Sequence, residues 1–225
     1  MSKFYVVGTP IGNLEDITYR AVRVLSEVDL ILCEDTRVTR NLLDRYNIKT
    51  PTMSYHAQSK ISKADKILEL IGEGKNLALV SDAGTPTISD PGSLLVFQIK
   101  ESYPETEVIV IPGPSAVISA LSISGISVAE FTFLGFLPHK KGRETLFKEI
   151  GVSERVMVFY ESPHRIIKTL ESLEKFAPTK KVIIARELTK IYEQVVSGKA
   201  EELKKYFIDN PDKVRGEFVV IVDTK

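Results

Sequence analysis

The chain of 225 residues has no tryptophan, a single cysteine (Cys33) and only three histidines. A lone cysteine excludes any disulfide within the chain and any cysteine cluster for zinc. His56, His139 and His164 are widely separated, which argues against a histidine-rich centre, so no metal is expected. An excess of charge of either sign is lacking too, because 30 Lys and Arg balance 30 Asp and Glu. A protein that coats nucleic acid by bulk electrostatics would be strongly basic, which leaves only local basic patches for such a partner. No apolar run approaches the roughly 18 residues that cross a bilayer, and the stretch after Met1 is too short for a secretory signal. No membrane and a cytoplasmic location are the expectation.

What is present is an ordinary globular composition, 43% hydrophobic and 27% charged, arranged as strand-like runs alternating with amphipathic segments. The runs lie at 4–7, 30–33, 77–80, 108–111, 156–160, 182–185 and 218–222. Between them, Ile17, Ala21, Val24, Leu25 and Val28 share one helical face, as do Ile61, Ala64, Ile67, Leu68 and Ile71. A third helix is expected with Ser162 as N-cap and Pro163 at its first position. Such alternation predicts an α/β fold with mostly parallel central strands. Pro112-Gly-Pro114 is the strongest punctuation, and an α/β pattern lies on each side of it. Two α/β lobes are therefore expected, 1–112 and 113–225.

Three strand ends carry loops rich in glycine, proline and small polar residues: Gly8-Thr-Pro-Ile-Gly-Asn13, the stretch 81–92, and Pro112-Gly-Pro-Ser-Ala116. Carboxyl ends of strands are where α/β sheets bind ligands. The stretch 81–92 is too long and too proline-fixed for a simple turn, so a binding role is expected there. None of the three contains Gly-x-Gly-x-x-Gly, a P-loop or a Gly-x-Ser-x-Gly elbow. A conventionally bound dinucleotide, a triphosphate and a serine hydrolase are therefore not expected.

Ser81-Asp-Ala-Gly-Thr-Pro-Thr-Ile-Ser-Asp-Pro-Gly92 resembles the signature of the ribosomal RNA small subunit methyltransferase I family, within the tetrapyrrole methylase superfamily. The resemblance extends through Val7-Gly-Thr-Pro-Ile-Gly-Asn-Leu14, Glu34-Asp-Thr-Arg37, Ile111-Pro-Gly-Pro-Ser-Ala116, Gly135-Phe-Leu-Pro138, Tyr160-Glu-Ser-Pro-His-Arg165 and Arg186-Glu-Leu-Thr-Lys190. These motifs occur in family order over nearly the whole chain. A family stretch of the type His-x-x-Asn-Glu reads His56-Ala-Gln-Ser-Lys60 here.

The resemblance implies two α/β lobes of the tetrapyrrole methylase type, S-adenosyl-L-methionine folded in the cleft between them, and a homodimer. It implies methyl transfer to the ribose 2′-oxygen of a cytidine in the decoding region of small-subunit (16S) rRNA. Carried over motif by motif, the cofactor contacts are Pro10, Gly84, Thr85, Ile88, Ser115, Ala116, Tyr160 and Leu188 or Thr189. Methylation of a small molecule such as a tetrapyrrole, and cofactor binding without catalysis, stay open as alternatives.

A ribose hydroxyl becomes a good nucleophile only as its proton leaves, so a nearby base or a cation at the developing oxyanion is expected to help. Lys190 or Glu187 is the candidate for that assistance, and Arg37 and Asn13 are candidates for positioning the nucleotide. Glu34, Asp35 and Arg37 have a plainer reading as a loop-fixing ion pair. RNA phosphates would meet Lys140, Lys141 and Arg143, with Arg165 near the expected cleft.

Overall fold

Runs that are apolar at every position, such as Leu30-Ile-Leu-Cys33 and Leu77-Ala-Leu-Val80, suit strands covered on both faces. The computed structural model, which describes residues 1–56 and 61–224, places them in that setting. The chain divides into two units, Met1–Ser115 and Ala116–Lys225, just after Pro112-Gly-Pro114.

The first unit holds strands β1 (Lys3–Val7), β2 (Leu30–Cys33), β3 (Thr52–Ser54), β4 (Leu77–Leu79) and β5 (Glu107–Ile111). Its helices are α1 (Tyr19–Glu27), α2 (Thr36–Arg45), α3 (Ile61–Gly72) and α4 (Ser93–Ser102). The strand order is β3-β2-β4-β1-β5, and its pairings are parallel. Side chains alternate between two cores, as the period of a strand requires. Val7, Ile31, Cys33 and Ala78 pack with Ala21, Val24 and Leu25 of α1 and Leu43 of α2. Phe4, Leu32, Leu77 and Leu79 point the other way, onto Ile67 and Ile71 of α3 and Leu95 and Ile99 of α4. The connection leaving β1 thus crosses one face, while that leaving its neighbour β4 crosses the other. In open α/β sheets such a reversal, here at the carboxyl ends of β1 and β4, is where a ligand crevice forms.

The second unit begins with α5 (Ala116–Ser122) and continues through β6 (Phe131–Phe136), α6 (Arg143–Val152), β7 (Val156–Glu161), α7 (Ile166–Phe176) and β8 (Lys181–Arg186). It ends with β9 (Gln194–Lys199), α8 (Ala200–Asp209) and β10 (Phe218–Val222). The strand order is β6-β7-β10-β8-β9. β10 is buried at all five positions, as befits a strand in the middle of a sheet. Phe147, Phe159, Ile166, Leu170, Phe207 and Phe218 belong to one core, which joins α6, α7 and α8 to the sheet.

Two expectations are corrected here. Only β6 and β7 run parallel in this sheet; β7, β10, β8 and β9 pair antiparallel in turn. The turn at 187–193 joining β8 to β9 is too short for a crossover, which needs a dozen residues or more. Strand and helix alternation alone does not reveal that. The third helix starts at Ile166 with Arg165 as N-cap, not at Pro163. Ser162 instead lends its carbonyl to a turn, accepting from the N–H groups of Arg165 and Ile166 at 3.0 and 3.1 Å.

Phe207 packs edge-on against Phe218 with ring centroids 5.8 Å apart. Phe207→Ala should lower unfolding stability by about 3–5 kcal/mol, the usual range for a buried phenylalanine. Urea unfolding checks this, and a loss below about 1 kcal/mol would mean α8 is not packed as described.

Candidate active site

In the first unit, the loops after β1, β4 and β5 are tied to one another by backbone. Thr9 and Gly84 exchange two N–H···O=C bonds, at 2.9 and 3.1 Å. The Thr9 hydroxyl also donates to the Ser81 carbonyl at 3.2 Å. Gly8 N–H donates to the Ile111 carbonyl at 2.9 Å. A Cβ on Gly8 would lie 2.8 Å from the Gly113 Cα and nitrogen, and one on Gly113 would lie 2.8 Å from the Gly8 oxygen. Only glycine at both positions allows β1 and β5 to end so close together. Pro10, Gly84 and Ser115 therefore sit on loops that the structure brings together, with Thr85 beside Gly84. Ile88 stands 53% exposed on the same loop.

The 81–92 loop is strained as well as long. Thr87 and Ser89 both have positive φ, 74° and 62°. Such conformations cost on the order of 1–3 kcal/mol each and cluster at ligand sites. Carboxylates gather nearby. Asp82 accepts from the Asp35 N–H at 3.2 Å. Burial pushes the Glu34 carboxyl up, and the charges of Asp90 and Asp82 push it further. Burial also raises Asp90, Asp82 adds to the rise, and a hydrogen bond with Ser81 opposes it. A site with this character favours a cationic ligand. S-adenosylmethionine carries a sulfonium and an ammonium, so the donor set fits it. No group of three or more metal-ligating side chains occurs among the described residues.

Arg37 and Asn13 have local partners. Arg37 grips Asp35 at 2.6 Å, and its backbone N–H donates to the same carboxylate at 2.8 Å. The Arg37 side chain, through its hydrogen bonds, is the main cause that holds Asp35 down to about 2. Asp35 is also the N-cap of α2. Asn13 caps the short helical turn Leu14–Asp16, accepting from the Glu15 N–H at 3.1 Å. The structure thus gives Asn13 and Arg37 loop-fixing partners in Glu15 and Asp35. The departing family stretch at 57–60 lies outside the described residues.

In the second unit, a buried carboxylate organises the strand ends. Glu161 sits at the end of β7 with its side chain fully buried and Arg165 at 2.7 Å. Arg143 lies 3.8 Å away and donates at 2.7 Å to the Thr169 hydroxyl, which in turn donates to Glu161 at 2.5 Å. Arg165 also donates to the Leu137 carbonyl at 2.8 Å. Both arginines, expected at RNA phosphates, thus spend their charge inside the protein. Lys140 and Lys141 stay exposed. Tyr160 packs its ring between Phe133 and Phe136, with centroids 5.0 and 5.3 Å away.

The turn after β8 brings Glu187 and Lys190 together, and sequence reasoning did not identify the third member. The Lys190 Nζ donates to Glu187 and to Glu217, each at 3.0 Å. Glu187 also accepts the Glu217 N–H at 2.9 Å. Glu187 and Thr189 both have positive φ, 50° and 65°, and a Cβ at Gly216 would fall on the Glu187 side chain. Leu188 between them is buried. Burial alone would lower Lys190, yet Glu187 and Glu217 outweigh it and hold the ammonium above its usual 10.5. Burial alone would raise Glu187, yet the Glu217 N–H and Lys190 bring it below its usual 4.5. Glu217 could have been found from Gly216-Glu-Phe, the polar pair that precedes the most apolar strand.

Residues 3–204 match the family model of tetrapyrrole (corrin/porphyrin) methylases. A ribosomal RNA small subunit methyltransferase I of Thermotoga maritima is 46% identical, over 100% of both chains. The Haemophilus influenzae protein of that name is 43% identical over 98% of this chain and 78% of its own length. The Bacillus subtilis one is 42% identical over 99% and 75%. Among solved structures, the methyltransferase CobJ superposes with a TM-score of 0.70 at 20% identity, covering 99% of this chain and 94% of that one. Uroporphyrin-III-C-methyltransferase from Thermus thermophilus gives 0.68 at 18%, with the same coverages. At such identities these structures speak for the fold.

Glu161→Gln should destabilise the protein by about 3–5 kcal/mol, because two partly buried guanidiniums lose their fully buried counter-charge. Chemical unfolding measures this, and a change within about 0.5 kcal/mol, ordinary for a surface position, would mean the network does not hold the strand ends.

Proposed function

We propose, from the premise that the chain belongs to the ribosomal RNA small subunit methyltransferase I family of tetrapyrrole methylases, that it methylates small-subunit ribosomal RNA. It is an S-adenosylmethionine-dependent methyltransferase, and the acceptor we propose is the ribose 2′-oxygen of a cytidine in the decoding region. The observation that carries the reading is the convergence of three strand-end loops at the crevice where the connections of β1 and β4 part. Pro10, Gly84, Thr85, Ile88, Ser115 and Ala116 of those loops would hold the cofactor, as would Tyr160, Leu188 and Thr189 at strand ends of the second unit.

Bound S-adenosylmethionine supplies an electrophilic methyl group on a sulfonium, whose S–CH3 bond breaks as the O–CH3 bond forms. The rest falls to the residues. The Glu34, Asp82 and Asp90 carboxylates would favour the cationic sulfonium over its neutral product. Lys190 would donate a hydrogen bond to the ribose oxygen as negative charge grows there. An ammonium clamped by two carboxylates is a donor, not a base. Glu187 is likewise too acidic to accept the proton efficiently at neutral pH, and serves to aim Lys190. The 2′-hydroxyl proton passes to solvent. Arg37 and Asn13 would orient the nucleotide through the loops they fix, and Lys140 and Lys141 would meet phosphates, with Arg143 and Arg165 holding the segment in front of them.

No described helix is long and apolar enough to cross a membrane. A cytoplasmic location is proposed from the ribosomal substrate. A homodimer is also proposed. Leu94 and Phe97 of α4 are 62% and 60% exposed, an apolar face suited to a second copy.

Incubating small subunits from cells lacking this modification with methyl-labelled S-adenosylmethionine tests the function. Label on one cytidine ribose is expected. Label only on a tetrapyrrole offered in parallel, or cofactor binding with no transfer to either, overturns the proposal. Lys190→Met should lower kcat by about 10²–10³, the range for removing one oxyanion donor, with cofactor Kd unchanged. Because Lys190 is held above its usual 10.5, its charge persists through pH 7–10 and adds no alkaline loss of rate there. A fall in kcat centred below about pH 9, absent from Lys190→Met, would contradict the clamp that holds Lys190 charged, and an unchanged kcat in Lys190→Met would contradict the donor role.

A further inference from the structure

We propose that the groove between α6 and α7 binds one phosphodiester of the substrate RNA; this rests on the function above and adds a contact outside the Lys190 turn. The groove has a volume of about 360 Å³ and is lined by Lys140, Arg143, Glu144, Phe147, Lys175 and Phe176, with Glu171 and Ser172 beside them. Its charges are not equivalent. Arg143 is committed to Glu161 through Thr169. Glu144 is engaged by Lys148 at 2.9 Å. Lys140 and Lys175 are exposed; neither makes a salt bridge among the described residues, and Lys175 lies near enough to Glu144 to help lower that carboxyl.

The lining as a whole sets three cations, Lys140, Arg143 and Lys175, against two carboxylates, Glu144 and Glu171. The balance is about one positive charge, which suits the single negative charge of a phosphodiester and not a nucleoside triphosphate. The rest of the lining suits the sugar and base on either side of that phosphate. Lys175 stands 4.7 Å from the centre of the half-buried Phe176 ring, while Phe147 beneath Arg143 is buried in the core. A cation over a partly exposed ring makes a flat, partly apolar wall of the kind on which single-stranded RNA rests. Lys141, next in sequence to Lys140, carries positive charge beyond the groove for a neighbouring phosphate. The loop bearing both lysines is fixed from behind, because Arg165 holds the Leu137 carbonyl and Arg143 the Pro138 carbonyl at 3.3 Å.

A purely structural role for Lys175 is as a cation in the last turn of α7, where it complements the helix dipole. The two roles separate experimentally. Binding of a fluorescent single-stranded RNA covering the decoding region would be followed by anisotropy at KCl concentrations from about 50 to 200 mM. Wild type would be compared with Lys175→Ala, Lys175→Arg and Lys168→Ala, the last removing an exposed α7 lysine outside the groove. Lys175→Ala should weaken binding about 3–10-fold and reduce the salt slope by about one. Lys175→Arg should restore both, and Lys168→Ala should change neither, while cofactor Kd and melting temperature stay with wild type.

Unchanged RNA affinity and slope in Lys175→Ala, with wild type binding and methylating small subunits, overturns the groove alone. Equal weakening by Lys168→Ala also overturns it, since diffuse charge would then be the cause. If wild type neither binds nor methylates RNA, the proposed function falls and the groove with it.

Discussion

The pair of backbone hydrogen bonds between Thr9 and Gly84 is the constraint on which the arrangement of the first unit's strand-end loops depends. Strands β1 and β4 are neighbours, but their connections depart over opposite faces of the sheet, and nothing in the sheet itself would hold the two loops in one place. The Thr9–Gly84 exchange closes them onto each other, and the Thr9 hydroxyl draws in the start of the 81–92 loop. β5 is brought in by a different device, the face-to-face approach of Gly8 and Gly113. With the loops tied in this way, positive φ at Thr87 and Ser89 can be sustained, because the surrounding structure over-determines them.

The second unit solves a similar problem with charge. Glu161 is a carboxylate without solvent, and its burial is tolerable only because Arg165, Arg143, Thr169 and a backbone N–H all address it. That network divides the cations of the unit into two populations. Guanidiniums, with planar forks that satisfy several acceptors at once, hold β6, β7 and α7 together. Ammonium groups on flexible stems remain outside, where they can meet a mobile polyanion. A chain with no net charge can thereby present a locally positive surface.

Much of this was legible in the amino-acid order, for reasons that differ between elements. Four strands of the first unit were visible as short apolar runs, and α1 and α3 because their buried residues recur at helical spacing; β3, Thr52-Met-Ser54, was not, being short and largely polar. β9 was not visible, since Gln194–Lys199 is an edge strand whose alternation is largely polar. The antiparallel course of the second sheet was hidden because strand direction follows from connection length and not from strand composition. Among the candidate site residues, Lys190 and Glu187 were singled out through their motif, and the structure pairs them. Their partner Glu217 lies 27 residues after Lys190 and is joined to it only through the pairing of β8 with β10. The inward turn of Arg143 and Arg165 could not be foreseen either, because a basic residue beside an exposed loop looks the same in sequence whether or not a buried carboxylate waits behind it.

Gly216 gives the Lys190 clamp a consequence for how the sequence can drift. The space a methyl group would need there is filled by Glu187, whose left-handed backbone leaves it little freedom to move aside. The two positions form one heritable unit. A side chain arriving at 216 ejects Glu187, and the ammonium it aims goes with it. Homologues that keep the clamp should keep this glycine, and lineages that lose one should show the other released from constraint.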